Sequence, residues 1–161
     1  MKYLIREANP KDAQQILNLI TELAVFEKEP NAVEITVHNI IEDGFSKHPA
    51  FTCFVAESAN DIAGIALVYN RYSTWKGKTL HLEDLIVSKK YRGEGLGSLL
   101  LNKVVEFGKN QGVKRISWEV LSWNEPAIKF YENKGANILR DWHVVHLDAQ
   151  AINKYIENEG I

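Results

Sequence analysis

Leu82-Glu83-Asp84-Leu85-Ile86-Val87-Ser88-Lys89-Lys90-Tyr91-Arg92-Gly93-Glu94-Gly95-Leu96-Gly97-Ser98 passes from an apolar, branched run into a glycine-studded turn. The turn opens a helical pattern, with Leu96, Leu99, Leu100, Val104 and Phe107 at three- and four-residue steps. A strand that ends in bare backbone at a helix N-terminus suits a phosphate group. The first N–H groups of the helix have no partner inside it, and the macrodipole adds partial positive charge there. Glycine lets the backbone approach an anion closely and take positive φ without strain. The stretch from Arg92 through Gly93, Glu94, Gly95, Leu96 and Gly97 to Ser98 is therefore a candidate pyrophosphate cradle. The plain alternative is a turn that only caps a helix, since short glycine motifs recur by chance.

The type of phosphate ligand can be narrowed. A Walker loop ends in Gly-Lys-Ser/Thr, and Gly97-Ser98 has no lysine between. A dinucleotide fingerprint needs a third glycine where Ser98 stands, and no first-strand βαβ context surrounds it. Arg92-Gly93-Glu94-Gly95-Leu96-Gly97 fits Arg/Gln-x-x-Gly-x-Gly/Ala instead, and here the chain resembles the GNAT superfamily of acetyl-CoA-dependent N-acetyltransferases. That resemblance implies an acetyl-CoA cosubstrate with its pyrophosphate over this loop, and Arg92 and Lys90 as charged partners of the CoA phosphates.

Trp123-Asn124-Glu125-Pro126-Ala127-Ile128-Lys129-Phe130-Tyr131-Glu132-Asn133-Lys134-Gly135-Ala136 is a compact helix with both ends marked. Asn124 suits the N-cap, Pro126 the first turn and Gly135 the C-terminal stop. It matches the GNAT segment Asn-x-x-Ala-x-x-x-Tyr-x-x-x-Gly-Phe/Ala, which implies Asn124, Ala127 and Tyr131 beside the pantetheine, with the tyrosine facing the thioester sulfur. An isolated Phe-Tyr pair on an amphipathic helix is more often core. Two motifs in the right order and at a plausible separation favour the resemblance.

Composition agrees with this class. The 161 residues, 45% hydrophobic, suit a single domain over 1–161 with a real core. A net charge of -2 without a long basic run argues against nucleic-acid binding. The single Cys53 cannot form an internal disulfide and lies in an apolar run, so it reads as a core residue in a reducing compartment, the cytoplasm. No stretch approaches a membrane span, and no signal-peptide pattern opens the chain. His143 and His146 lack the company of other ligands, so no metal is expected.

Patterning gives an α/β fold, a mixed, mostly antiparallel central sheet flanked by helices. Strands are expected over 3–6, 51–57, 62–69, 80–87, 115–121 and 144–147, with a tight turn near Asn60-Asp61. Helices are expected after Asn9-Pro10, over 36–43 with Gly44 as the stop, from the glycine loop to about Gly112, around Tyr131, and over 149–157.

Phe26-Glu27, Glu42-Asp43-Gly44-Phe45, His48-Pro49, Trp75-x-Gly77-Lys78, Leu82-Glu83-Asp84 and Trp123-Asn124-Glu125-Pro126 resemble, more narrowly, the spermidine/spermine acetyltransferase branch, which also holds thialysine acetyltransferases. This implies a small primary amine as acceptor, Glu83 linked to proton removal through water, and Tyr131 as the acid that protonates the leaving thiolate. It also implies an acceptor channel lined by Phe26, Glu27, Trp75 and Trp142, and a homodimer in which C-terminal strands meet or exchange across a two-fold axis. The chain departs from the spermidine/spermine pattern at Ser73, Thr74 and Phe26, where an acidic residue, a proline and a tyrosine are expected. One carboxylate fewer leaves room for a lysine-like acceptor.

The residues suit these roles physically. A primary alkylamine with a pKa of about 10.4 is almost all ammonium at neutral pH, and freeing it at pH 7 costs about 4.6 kcal/mol. A carboxylate such as Glu83 attracts the cation and accepts its proton, and strand N–H groups at Leu85, Ile86 and Val87 suit a developing oxyanion. Asp84 is expected on the opposite face of the strand unless a bulge intervenes, so the choice of base between Glu83 and Asp84 stays open. Glu27, Glu83, Asp84 and Glu119 supply negative charge for a multiply charged amine, and Trp75, Trp118 and Trp142 supply walls. His81, just before the catalytic strand segment, is a candidate for substrate contact, but an exposed strand residue is the favoured reading. Two other readings share the fold: a protein amine as acceptor, which needs an open groove, and a non-catalytic CoA-binding sensor, which need keep neither Glu83 nor Tyr131.

Overall fold

The computed structural model describes residues 2–59 and 61–160. The chain divides into two units, Met1–Glu119 and Val120–Ile161. In the first, β1 (Leu4–Glu7), β2 (Thr52–Ser58), β3 (Asp61–Ser73) and β4 (Gly77–Val87) pair in sequence order, each antiparallel to the last. β5 (Ile116–Ser117) then joins β4 in parallel, against Leu80 and His81 alone. The mixed, mostly antiparallel sheet is as expected.

Period-two alternation sorts the sheet into two buried faces. One packs Cys53, Val55, Ile65, Leu67 and Ile86 against Ala13, Ile16 and Leu19 of α1 (Ala13–Phe26) and Ile40 of α2 (Val37–Phe45). Cys53 is a core residue, as expected. α3 (Leu96–Asn110) buries Leu96, Leu100, Leu101 and Val104, and its Phe107 ring lies 5.2 Å from the Phe54 ring of β2. Leu99, expected on the buried stripe, is exposed, and Leu101 takes its place. At the start of α1, Asp12 accepts from both Nη atoms of Arg6 at 2.7 and 2.9 Å, while Arg6 Nε donates to Glu57 at 2.6 Å. The sheet edge and the helix N-terminus are thereby tied together.

Two boundaries differ from expectation. α2 runs through Gly44 to Phe45, and a Cβ at Gly44 would lie 2.5 Å from the Phe51 ring. That glycine is a packing residue inside the helix, not a stop. The strand expected over 115–121 shrinks to Ile116–Ser117, because β4 bends just beyond this pairing at a bulge. Asn60, half of the expected tight turn, lies outside the described residues.

The second unit holds α4 (Glu125–Glu132) and α5 (Ala149–Glu159). Asn124 caps α4 by accepting from Ala127 N at 3.3 Å, as the sequence predicts. Residues 144–147 form no strand, and Val144, Val145 and Leu147 are exposed. An alternating pattern becomes a strand only when a neighbour completes its hydrogen bonds, and among the described residues nothing pairs with this segment.

Candidate active site

The register between β3 and β4 slips at one place: Leu67 faces Asp84 but Val68 faces Leu82, so Glu83 is the extra residue of a β-bulge. A bulge breaks the alternation of side chains around it. Asp84, opposite Leu67, lies on the α1 face with Tyr69 and His81. Glu83 reaches the same side, with Oε2 3.6 Å from His81 Nε2 and a hydrogen bond from the Tyr69 hydroxyl. The expectation that Asp84 points away from Glu83 is thus overturned.

The consequence is a concentration of carboxylates. Burial pushes the Asp84 carboxyl up to about 6, and the negative charges of Glu83 and Glu27 add to the effect. Burial likewise raises the Glu27 carboxyl at the C-terminal end of α1. Tyr69 is pushed up to about 12, by burial first and then by its bond to Glu83. His81 is buried, against expectation, and desolvation holds its pKa below the usual value. It accepts at Nδ1 from Arg71 Nη1 at 3.3 Å, so its proton sits on Nε2, toward Glu83. Ser117 Oγ lies 3.4 Å from the same Nδ1, and the charge of Glu119 acts on both Tyr69 and His81. Tyr69 and Arg71 had no individual signal in the sequence, and only the strand register gathers them with His81 around Glu83.

The glycine loop stands on the same unit. Gly93 and Gly95 have φ of 82° and 78°, and a Cβ on either would meet nothing within 4 Å. No side chain caps α3 at Gly95, so the first N–H groups of a 15-residue helix are left for an anion. Beyond His81, no strand among the described residues pairs with the outer edge of 82–87, which includes Leu85, Ile86 and Val87. An uncapped helix start and an unpaired strand edge fit a long ligand with phosphates at one end and amide groups along its length.

The flanking cations are partly committed. Lys90 Nζ binds Asp61 at 3.0 Å, while Arg92 Nε donates to the Val87 carbonyl and its guanidinium lies 5.5 Å from the centre of the Phe26 ring. Glu94 binds Lys2 and Tyr3 through its side chain, leaving its backbone to the loop. Trp75 lies at the exposed tip of the β3–β4 hairpin, where Ser73 Oγ accepts from Trp75 N and Lys76 N. Glu83 lies six positions beyond Gly77, which is just past that tip, or about 20 Å along β4, so the structure does not bring Trp75 to the carboxylates. In the second unit Tyr131 is buried, and burial raises its hydroxyl to about 12. Trp142 is exposed.

Residues 13–136 match the Acetyltransferase (GNAT) family. The chain belongs to the GNAT family. As a member it is an enzyme, an N-acetyltransferase, and acetyltransferases of this family use acetyl-CoA. A thialysine N-epsilon-acetyltransferase of Bos taurus is 36% identical over 162 residues, covering 94% of this chain and 95% of that one. A human spermidine/spermine N(1)-acetyltransferase-like protein 1 is 32% identical over 93% of this chain and 23% of its own length. An integron cassette protein from the mobile metagenome of V. cholerae shares the fold, with a TM-score of 0.81 at 22% identity over 98% of this chain and 99% of that one. Among the described residues no helix is long and apolar enough to cross a membrane, and no group of three or more His, Cys, Asp and Glu is arranged to hold a metal ion.

Proposed function

We propose that this chain transfers an acetyl group from acetyl-CoA directly to a small primary amine, a diamine, polyamine or lysine-like amine, and that 1–161 forms one catalytic domain. The observation that carries the reading is the bulge, which sets Glu83 and Asp84 on one face of the strand whose edge is left unpaired. Acetyl-CoA, when bound, supplies the acetyl thioester. Backbone N–H groups of 92–98 hold its pyrophosphate, and Asn124 and Ala127 lie along the pantetheine.

Glu83 attracts the ammonium and takes its proton, directly or through one water, so that the nitrogen lone pair is free to form the new N–C bond. N–H groups at Leu85 to Val87 donate to the carbonyl oxygen as it gains charge. As the C–S bond breaks, Tyr131 gives its proton to the sulfur. A tyrosine raised to about 12 stays protonated at neutral pH, which suits that task. Asp84, Glu27 and Glu119 hold further positive charge on the acceptor, with Phe26 and Trp142 as apolar surface. The exposed, alternating segment at 142–147 suits pairing with a second copy, a homodimer. A buried, lone thiol at Cys53 suits the cytoplasm.

A thiol-release assay with acetyl-CoA and a panel of diamines, polyamines, lysine analogues and peptides tests the reading. Turnover with small amines is expected. Turnover with peptides alone would move the acceptor to protein amines, and CoA binding without turnover on any amine would make the chain a sensor.

A further inference from the structure

Arg71 faces Thr79 across the β3–β4 register and so shares a face with Tyr69 and His81. Its side-chain partner is the neutral His81 imidazole, and among the described residues its guanidinium forms no ion pair. A guanidinium carries five N–H donors in a rigid fork, of which the imidazole uses one. The other edge of the same imidazole touches Glu83. One buried ring therefore separates a cation from the carboxylates, and the site has two poles. An amine with positive charge at both ends meets repulsion at Arg71. A molecule with an ammonium at one end and a carboxylate at the other satisfies both poles, because a carboxylate matches the guanidinium fork.

We propose that Arg71 determines acceptor specificity by binding a carboxylate of the acceptor, which is then an amino acid whose reacting amine ends an alkyl side chain, as in lysine or ornithine. Glu119, whose charge acts on Tyr69 and His81, is the counter-charge for the α-ammonium. The inference rests on the reading of Glu83 as the base. A different role, in which Arg71 merely offsets the acidic charge, predicts that its loss improves every cationic acceptor alike.

The test compares kcat/KM for lysine with that for cadaverine, and for ornithine with that for putrescine, in the wild type and in Arg71→Gln. Charge-assisted hydrogen bonds are worth enough that the ratio of amino acid to diamine should fall roughly 10- to 100-fold in the variant. Lysinamide, with its carboxylate capped, should lose a similar factor against lysine in the wild type, and Arg71→Lys should recover part of the ratio. An unchanged ratio in Arg71→Gln, with diamines still acetylated, would overturn this inference and leave the proposed function standing. No turnover of either class by the wild type would overturn both.

Discussion

Asp84→Asn separates the energetics of the site from those of the fold. Asp84 is the carboxylate that the tertiary structure perturbs most, raised from 3.8 to about 6 by burial and then by Glu83 and Glu27. The folded state thus holds the Asp84 proton more tightly than the unfolded chain does. The stability tied to that proton is fully present below the unfolded pKa and is lost as pH rises through about 6. At 1.36 kcal/mol per pH unit, the interval amounts to about 3 kcal/mol. Asparagine carries no charge at any pH and escapes the loss. Urea denaturation of wild type and variant from pH 4 to 8 should give nearly equal stabilities at pH 4. The variant should then gain progressively, to about 3 kcal/mol above pH 7, while its catalysis falls. Asp12, which Arg6 holds below the ordinary carboxylate range, titrates in the opposite sense but is present in both proteins and cancels. A difference that does not change with pH, or a variant less stable at pH 8, would refute the electrostatic account of the site.

Three further outcomes are expected. Gly95→Val places a β-branched side chain at φ 78°, and calorimetry should show weakened CoA binding, with thermal unfolding still cooperative. Tyr131→Phe removes a proton donor and keeps the ring, so kcat should fall by about 10² to 10⁴ while CoA affinity changes little. A Phe variant with wild-type kcat, chemistry being rate-limiting, would leave Tyr131 a packing residue. Sedimentation at working concentration should give a species of twice the 18.3 kDa chain, and a monomer alone would reject pairing through 142–147.

The sequence by itself determined the parts whose physics is local. Asn124 can cap only the helix that begins next to it, and Gly93 and Gly95 suit a positive-φ turn wherever they stand. The strand that ends at Val87 and the helix that begins at Leu96 come from the periodicity of neighbours a few positions apart. The family was legible for the same reason, because its two motifs are contiguous segments. The segment 144–147 misled because its alternation shows that a strand is possible without showing which strand would pair with it. The faces of β4 depended on register, which one extra residue shifts: Glu83, opposed to no residue of β3, places Asp84 beside it instead of behind it. Only the tertiary structure decided that Tyr69 and Arg71 from one strand meet His81 and Glu83 of the next, because those meetings depend on hydrogen bonds between residues ten or more apart. Burial then set their charges, since the same carboxyl that is ordinary in an extended chain is raised to about 6 once water is withdrawn and two carboxylates stand near it.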